Sequence, residues 1–155
     1  MTRPVQIWHD EHMEFEKLLN ELQRQVDVFH AGGRPDYERM VEIISTLRER
    51  GDRAHHPRED VAFERLAKRC PDLALTLARL QQEHRVIAQA GEKLRELLSA
   101  ALDGTVIPRA EIEVAAAMYL VYYGNHIAHE EEDILGRAEQ VLAPEDWAAV
   151  GRAGT

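Results

Sequence analysis

The sequence predicts an all-α protein: an antiparallel up-down four-helix bundle with a short C-terminal fifth helix. Three observations predict it. Apolar residues recur at steps of three and four through four long segments, the breaks between segments are short and rich in glycine, proline and aspartate, and no segment carries a strand signal. The 155 residues are read as one domain, 1–155. A chain of this size hides about 70% of its unfolded surface, enough for a real core.

The first helix is expected from about Arg3 to Phe29. Pro4 suits a first turn, where a missing N–H is no loss. Val5, Trp8, His12, Phe15, Leu19, Leu22 and Val26 form its inward stripe, with a histidine in the middle. Ala31-Gly32-Gly33-Arg34-Pro35 breaks the chain. The second segment runs from about Asp36 to Arg69, with Met40, Ile44, Leu47, Phe63 and Leu66 inward. Gly51 and Pro57 interrupt it, so it is read either as one helix kinked in the polar run His55-His56-Pro57-Arg58-Glu59-Asp60 or as two helices meeting near Gly51. After Cys70-Pro71-Asp72, the third helix spans about Leu73 to Leu102 with Leu73, Leu77, Leu80, His84, Ile87, Gly91, Leu94 and Leu98 inward. After Asp103-Gly104-Thr105, the fourth runs from near Pro108 to about Val141, its stripe passing through Tyr119, Tyr122, His126 and Glu130. Ala143-Pro144-Glu145-Asp146-Trp147 opens the short fifth helix, which ends near Gly151. Short connections between long amphipathic helices make the antiparallel bundle the natural solution.

Composition narrows the partners. The chain is 45% hydrophobic and 30% charged, the range of globular domains. Its 28 acidic against 19 basic residues give a formal charge of -9, and no basic stripe stands out, which argues against nucleic acid. No apolar run approaches the roughly 20 residues needed to cross a membrane. MTRPVQIWHDEH lacks the apolar stretch of a secretory signal, so a soluble cytoplasmic protein, monomer or homodimer, is expected. The single cysteine, Cys70, falls in an inter-helix turn and is read as an ordinary thiol.

The chain echoes itself. Residues 55–63, HHPREDVAF, align without gaps on 126–134, HIAHEEEDI, matching His55 to His126 and Glu59 to Glu130. Glu11-His12 in one half corresponds to Glu83-His84 in the other, and the spacing from each of these histidines to the next is 43 and 42 residues. Residues four apart share a helix face, so His55 with Glu59, and His126 with Glu130, can reach one point in the core. His12 and His84 join them from the other two helices. A lone histidine on an apolar stripe is ordinarily a hydrogen-bonded core residue, and a lone His-x-x-x-Glu is ordinarily a solvated pair. Here all four long helices carry such a histidine and two carry matched glutamates. Two unpaired carboxylates among apolar side chains would cost several kcal/mol each, and metal cations supply the missing charge. Each carboxylate can bridge two ions, each ion takes two imidazoles, and coordination positions remain open. Nitrogen and oxygen donors together suit iron or manganese better than structural zinc.

The pieces WHDEH, HHPRED, QEHRVI and NHIAHEEEDIL resemble the hemerythrin-like, HHE cation-binding family, over about residues 5 to 137. The resemblance implies an up-down four-helix bundle around a non-heme di-iron centre with an oxo or hydroxo bridge, manganese and zinc being substitutes. It implies His12, His55, Glu59, His84, His126 and Glu130 as ligands, and O2, NO or peroxide as the small molecule bound or sensed. The chain departs from the oxygen-carrying hemerythrins. They have a further histidine one turn before His84, where this chain has Leu80, and their last carboxylate aligns with Glu131 rather than Glu130. These departures bring it closer to the broader HHE group, whose members are linked to iron sensing, NO or peroxide responses and iron–sulfur repair. The alternative functions are therefore a di-iron oxidase, peroxidase or repair enzyme, and an iron buffer or interaction module. Among the remaining histidines, His56 is read as an extra ligand or a residue behind the ligands, His9 as within reach of the site, and His129 as paired with Asp133 on the outer face. His30 is read as capped or solvated at a helix end.

Overall fold

A computed structural model describes residues 1–154 of the chain and is all-helical among them. Helix α1 is Arg3–His30, α2 Tyr37–Leu47, α3 His56–Arg69, α4 Ala74–Leu102, α5 Arg109–His129, α6 Leu135–Val141 and α7 Pro144–Arg152. The segments Arg48–His55, between α2 and α3, and Glu130–Ile134, between α5 and α6, are π-helical, so α2–α3 and α5–α6 each form one long continuous helical path. The unbroken course of the α2–α3 path has a local cause. The His56 N–H bonds back to the Gly51 carbonyl, five residues away, and Pro57 then falls in the first turn of α3, where it forfeits nothing.

Helix ends follow their local chemistry. Beyond α1, Gly32 takes φ 77° while the N–H groups of Gly32 and Gly33 cap the carbonyls of Phe29 and Val28. Asp36 opens α2 by accepting the Arg39 N–H at 3.0 Å. Gly104, at φ 91°, turns the chain out of α4.

Four long rods result. The α1 rod packs against α2 and α5, and α4 packs against α2, α3 and α5; α7 lies on α3. The interior is divided in two. One apolar cluster, including Phe15, Leu22, Met40, Ile44, Leu47, Ile87, Leu94, Tyr119 and Tyr123, fills the end near the α1–α2 and α4–α5 turns. A second, including Val5, Trp8, Phe63, Leu66, Cys70, Leu77, Leu80, Ile134 and Leu135, fills the other end. Between them lies a buried polar layer: His12, His55, His56, Glu59, His84, His126 and Glu130.

One detail differs from expectation. Tyr123, not Tyr122, takes the inward position beside Tyr119; Tyr122 is 44% exposed. Both spacings from Tyr119, three and four, satisfy a helical stripe, so the pattern alone does not choose between them. Cys70 lies in the turn between α3 and α4, as expected, with its side chain buried in the second apolar cluster. Among the described residues, no helix is long and apolar enough to cross a membrane.

Candidate metal centre

Each long rod delivers its histidine at the level where the two apolar clusters part. His12 lies between Trp8 and Phe15 on α1, and His84 between Leu80 and Ile87 on α4. His55 closes the first π-helical segment, with Glu59 one turn on; His126 lies in the last turn of α5, with Glu130 one turn on. All six are buried, none more than 6% exposed. Their imidazoles turn Nε2 toward the two carboxylates. His12 Nε2 is 3.1 Å from Glu59 Oε2 and 3.1 Å from Glu130 Oε2, and His55 Nε2 is 2.9 Å from Glu59 Oε2. His84 Nε2 is 2.9 Å from Glu59 Oε1 and 3.7 Å from Glu130 Oε1. His126 Nε2 contacts Glu130 Oε1 and is 4.0 Å from Glu59 Oε1. One oxygen of each glutamate therefore faces the His12–His55 pair, and the other faces the His84–His126 pair.

The outward ring atoms are held just as regularly. His55 Nδ1 lies 2.9 Å from Glu11, His126 Nδ1 3.0 Å from Glu83, His84 Nδ1 2.7 Å from Asp60 and His12 Nδ1 3.1 Å from Glu131. In the internal repeat, Glu11 corresponds to Glu83 and Asp60 to Glu131, so the sequence echo becomes a two-fold pattern of contacts. A carboxylate on Nδ1 fixes the ring and leaves Nε2 as the donor to a cation, the usual support of a metal-binding histidine.

The electrostatics agree. Burial would raise the Glu59 carboxyl, but the imidazoles around it, His55 first, hold it well below its ordinary value. Glu130 is lowered as well: burial and Glu59 push it up, and His126 and His12 prevail. Burial would lower the histidines. The carboxylates instead raise His12 to about 12, His126 to about 12 and His84 to about 10. The layer thus holds negative charge that demands positive charge, whether protons or metal ions. The donors fit a cation better than a proton network. His55 Nε2, His126 Nε2 and Glu130 Oε1 are buried without a hydrogen-bond partner, although each has an opposite group close by. Two sets of potential donors lie within 4.8 Å of one another: His12, His55, Glu59 and Glu130, and His56, Glu59, His84 and His126.

A protein-family model for the hemerythrin HHE cation-binding domain matches residues 3–138. The chain belongs to this family. No curated protein matches it.

Within this HHE domain, the six residues expected as ligands converge on one buried layer, and others that touch it had no assignment from the sequence. Glu131, 20% exposed on its side chain, does not face the glutamate pair; it grips His12 Nδ1 and His9 Nδ1 from behind. His9 accordingly lies outside the converging group. His129 pairs with Asp133 at 3.0 Å near the surface, and His30, 65% exposed, pairs with Glu113 at 3.0 Å. Trp8 was read only as an apolar stripe residue, yet its indole N–H donates to Glu59 Oε2 at 2.5 Å and approaches Glu130 Oε2 at 3.4 Å. A cavity of about 140 Å³ lined by Pro4, Ile7, Trp8, Trp147 and Val150 reaches Glu59 and His55. The signal for Glu11 and Glu83 was present: each precedes a repeat histidine. The partner of each lies on another helix, which only the bundle geometry reveals.

Proposed function

We propose that His12, His55, Glu59, His84, His126 and Glu130 bind two iron ions, with Glu59 and Glu130 each offering an oxygen to both. We further propose that the domain binds or senses a small molecule, O2, NO or peroxide. The observation that carries this reading is the two-sided hold on four imidazoles: Nδ1 fixed by a carboxylate, Nε2 aimed at the shared glutamate pair. An all-nitrogen-and-oxygen donor set favours iron or manganese over structural zinc, and Cys70 lies away in the apolar cluster. When bound, the iron pair supplies redox-active Lewis acidity with positions open to an exogenous ligand. The chain's own residues fix the rings, offset the buried charge and exclude bulk water through the apolar clusters on both sides. The Trp8 N–H stands ready to hydrogen-bond at the glutamate pair.

Metal analysis of protein purified without chelator should find close to two irons per chain, and its ultraviolet–visible spectrum should change on adding O2, NO or peroxide. Iron-loaded protein that shows no ligand-to-metal bands and no response to any of the three would reject the reading. The cavity beside His55 and Glu59 favours a second reading, a di-iron peroxidase or oxidase with a small substrate; steady peroxide consumption, rather than stoichiometric binding, would select it.

A further inference from the structure

The likeness between the two halves fails at one place outside the polar layer. On α1, Pro4, Ile7 and Trp8 fall within about two turns before His12; the matching residues before His84 are Thr76, Arg79 and Leu80. Ile7 is 45% exposed, and with Trp8 it lines the chamber of about 140 Å³ that reaches His55 and Glu59. The outer wall of that chamber is Trp147, Val150 and Gly151 of α7. This helix lies beyond residues 3–138, the part that the HHE family model matches. We propose that the chamber binds one small, uncharged apolar molecule, of the size of a monocyclic arene, beside Glu59 and His55. As the substrate position of a di-iron oxidase or peroxidase it rests on that reading; as a binding site it stands apart from it.

Three observations carry it. The first is that the wall is held in place. Asp146 ties the start of α7 to Arg65 and Arg69 of α3. Past the end of α7, Gly154 takes φ 74° and lies so close to the first π-helical segment that a Cβ there would stand 2.4 Å from the Ala54 carbonyl oxygen. The second is the chemistry of the lining. Pro4, Ile7, Trp8, Trp147 and Val150 offer hydrocarbon, the two indoles 6.3 Å apart with 78° between planes. The charged groups at the inner edge are already engaged. Glu11 holds His55 at 2.9 Å and Arg58 at 2.6 Å, Arg58 also donates to the Ala54 carbonyl at 3.2 Å, and Glu59 receives the Trp8 N–H. A charged ligand would give up its hydration for a lining whose counter-ions are taken. The third is size. At the packing density of protein interiors, a space of about 140 Å³ takes about six to eight non-hydrogen atoms. An apolar cavity of about 150 Å³ stays free of water and takes up benzene or xenon.

Trp8 and Trp147 are the only tryptophans of the chain and both line the chamber, so their fluorescence reports an occupant. The probe is bromobenzene, whose heavy atom quenches indole on contact. It should quench saturably and bind one molecule per chain in calorimetry, with a dissociation constant of about 0.1–1 mM, the range open to seven non-hydrogen atoms. Its charged analogue para-bromobenzoate should bind more weakly by about tenfold or more. Val150→Phe, which fills the chamber, and Ile7→Lys, which charges its half-exposed rim, should each weaken bromobenzene binding by about tenfold or more. Ile7→Lys leaves α7 untouched and covers the case in which Val150→Phe displaces that helix. Quenching that stays linear in bromobenzene overturns the proposal. So does para-bromobenzoate binding as tightly as bromobenzene, or both variants binding like wild type. Metal content is measured on the same samples. Iron-loaded protein that takes up no bromobenzene overturns the chamber and leaves the di-iron reading standing; protein that binds bromobenzene but no metal does the reverse.

Discussion

Glu11 follows Asp10 and precedes His12 on α1, yet its carboxylate holds His55 of the neighbouring rod, 2.9 Å from Oε2 to Nδ1. The same oxygen also receives Arg58, at 2.6 Å. Glu83 does the equivalent for His126. Each Glu-His pair thus serves two donors at once: the histidine points into the layer while the glutamate braces the histidine of another helix.

Replacing either brace should loosen the metal without unfolding the bundle. Glu11→Gln and Glu83→Gln should each lower affinity by about 10–100-fold, the usual cost of removing the partner of a metal-bound imidazole. Chelator competition measures it, with circular dichroism to show that the helices remain. Unchanged affinity in both variants would mean that the braces only decorate the surface.

His126 and His129 lie three residues apart with opposite fates, one buried at the glutamate pair and the other paired with Asp133 at the surface. His126→Ala should remove most of the bound metal and lower the melting temperature, since it leaves Glu130 buried without compensation. His129→Ala should leave metal content intact and change stability by less than about 0.5 kcal/mol. Metal content and thermal melts of the two variants check this, and the reverse result would shift the register of α5.

This pair also shows what the sequence makes legible. The three-and-four spacing fixes the level of His12, His84 and His126, because a helix repeats every 3.6 residues and a misplaced imidazole would have to sit among leucines; it does not place His56, buried next to His55. It identifies Glu130, four residues from His126. It does not reveal the two π-helical segments, which depend on a carbonyl being bonded from five residues away rather than four, a choice made by the packing around it. Nor does it expose the contacts of Glu11, Asp60, Glu83 and Glu131, since each crosses to another rod. The repeat itself is uneven at this level: one π-helical segment ends at His55, whereas the other begins at Glu130, four residues past the equivalent histidine.

Gly51 occupies the first of those segments, and an added Cβ there would stand 2.5 Å from the Tyr123 hydroxyl. The tyrosine is fully buried and has little room to retreat. Gly51→Ala should therefore cost about 1–3 kcal/mol, read as a lower urea midpoint. Adding Tyr123→Phe should recover part of the loss. A Gly51→Ala protein as stable as wild type would show that the contact yields easily.

Asp146 fastens α7 to α3. Its carboxylate is 2% exposed, accepts the Ala143 N–H at 2.8 Å and meets Arg69 at 2.7 Å and Arg65 at 3.3 Å. Burial would raise this carboxyl; the Ala143 N–H and the two arginines overcome it and hold it below its ordinary 3.8. A lowered acid stabilises the fold above its unfolded pKa, and that stability is lost as pH falls through the folded one. Asp146→Asn should thus cost on the order of 1 kcal/mol at neutral pH, and the gap to wild type should shrink progressively once the pH falls below 3.8. Melting curves across pH test it, and a gap that persists in acid would assign the effect to shape rather than charge.

The charged layer that splits the apolar interior also works as a keyway for assembly. Sliding one rod by a single turn, about 5.4 Å, would still let leucine meet leucine over most of its length. It would also strand an imidazole in hydrocarbon and leave a glutamate facing no cation, a far larger cost. Uniform apolar rods would tolerate several such alignments; these four accept one.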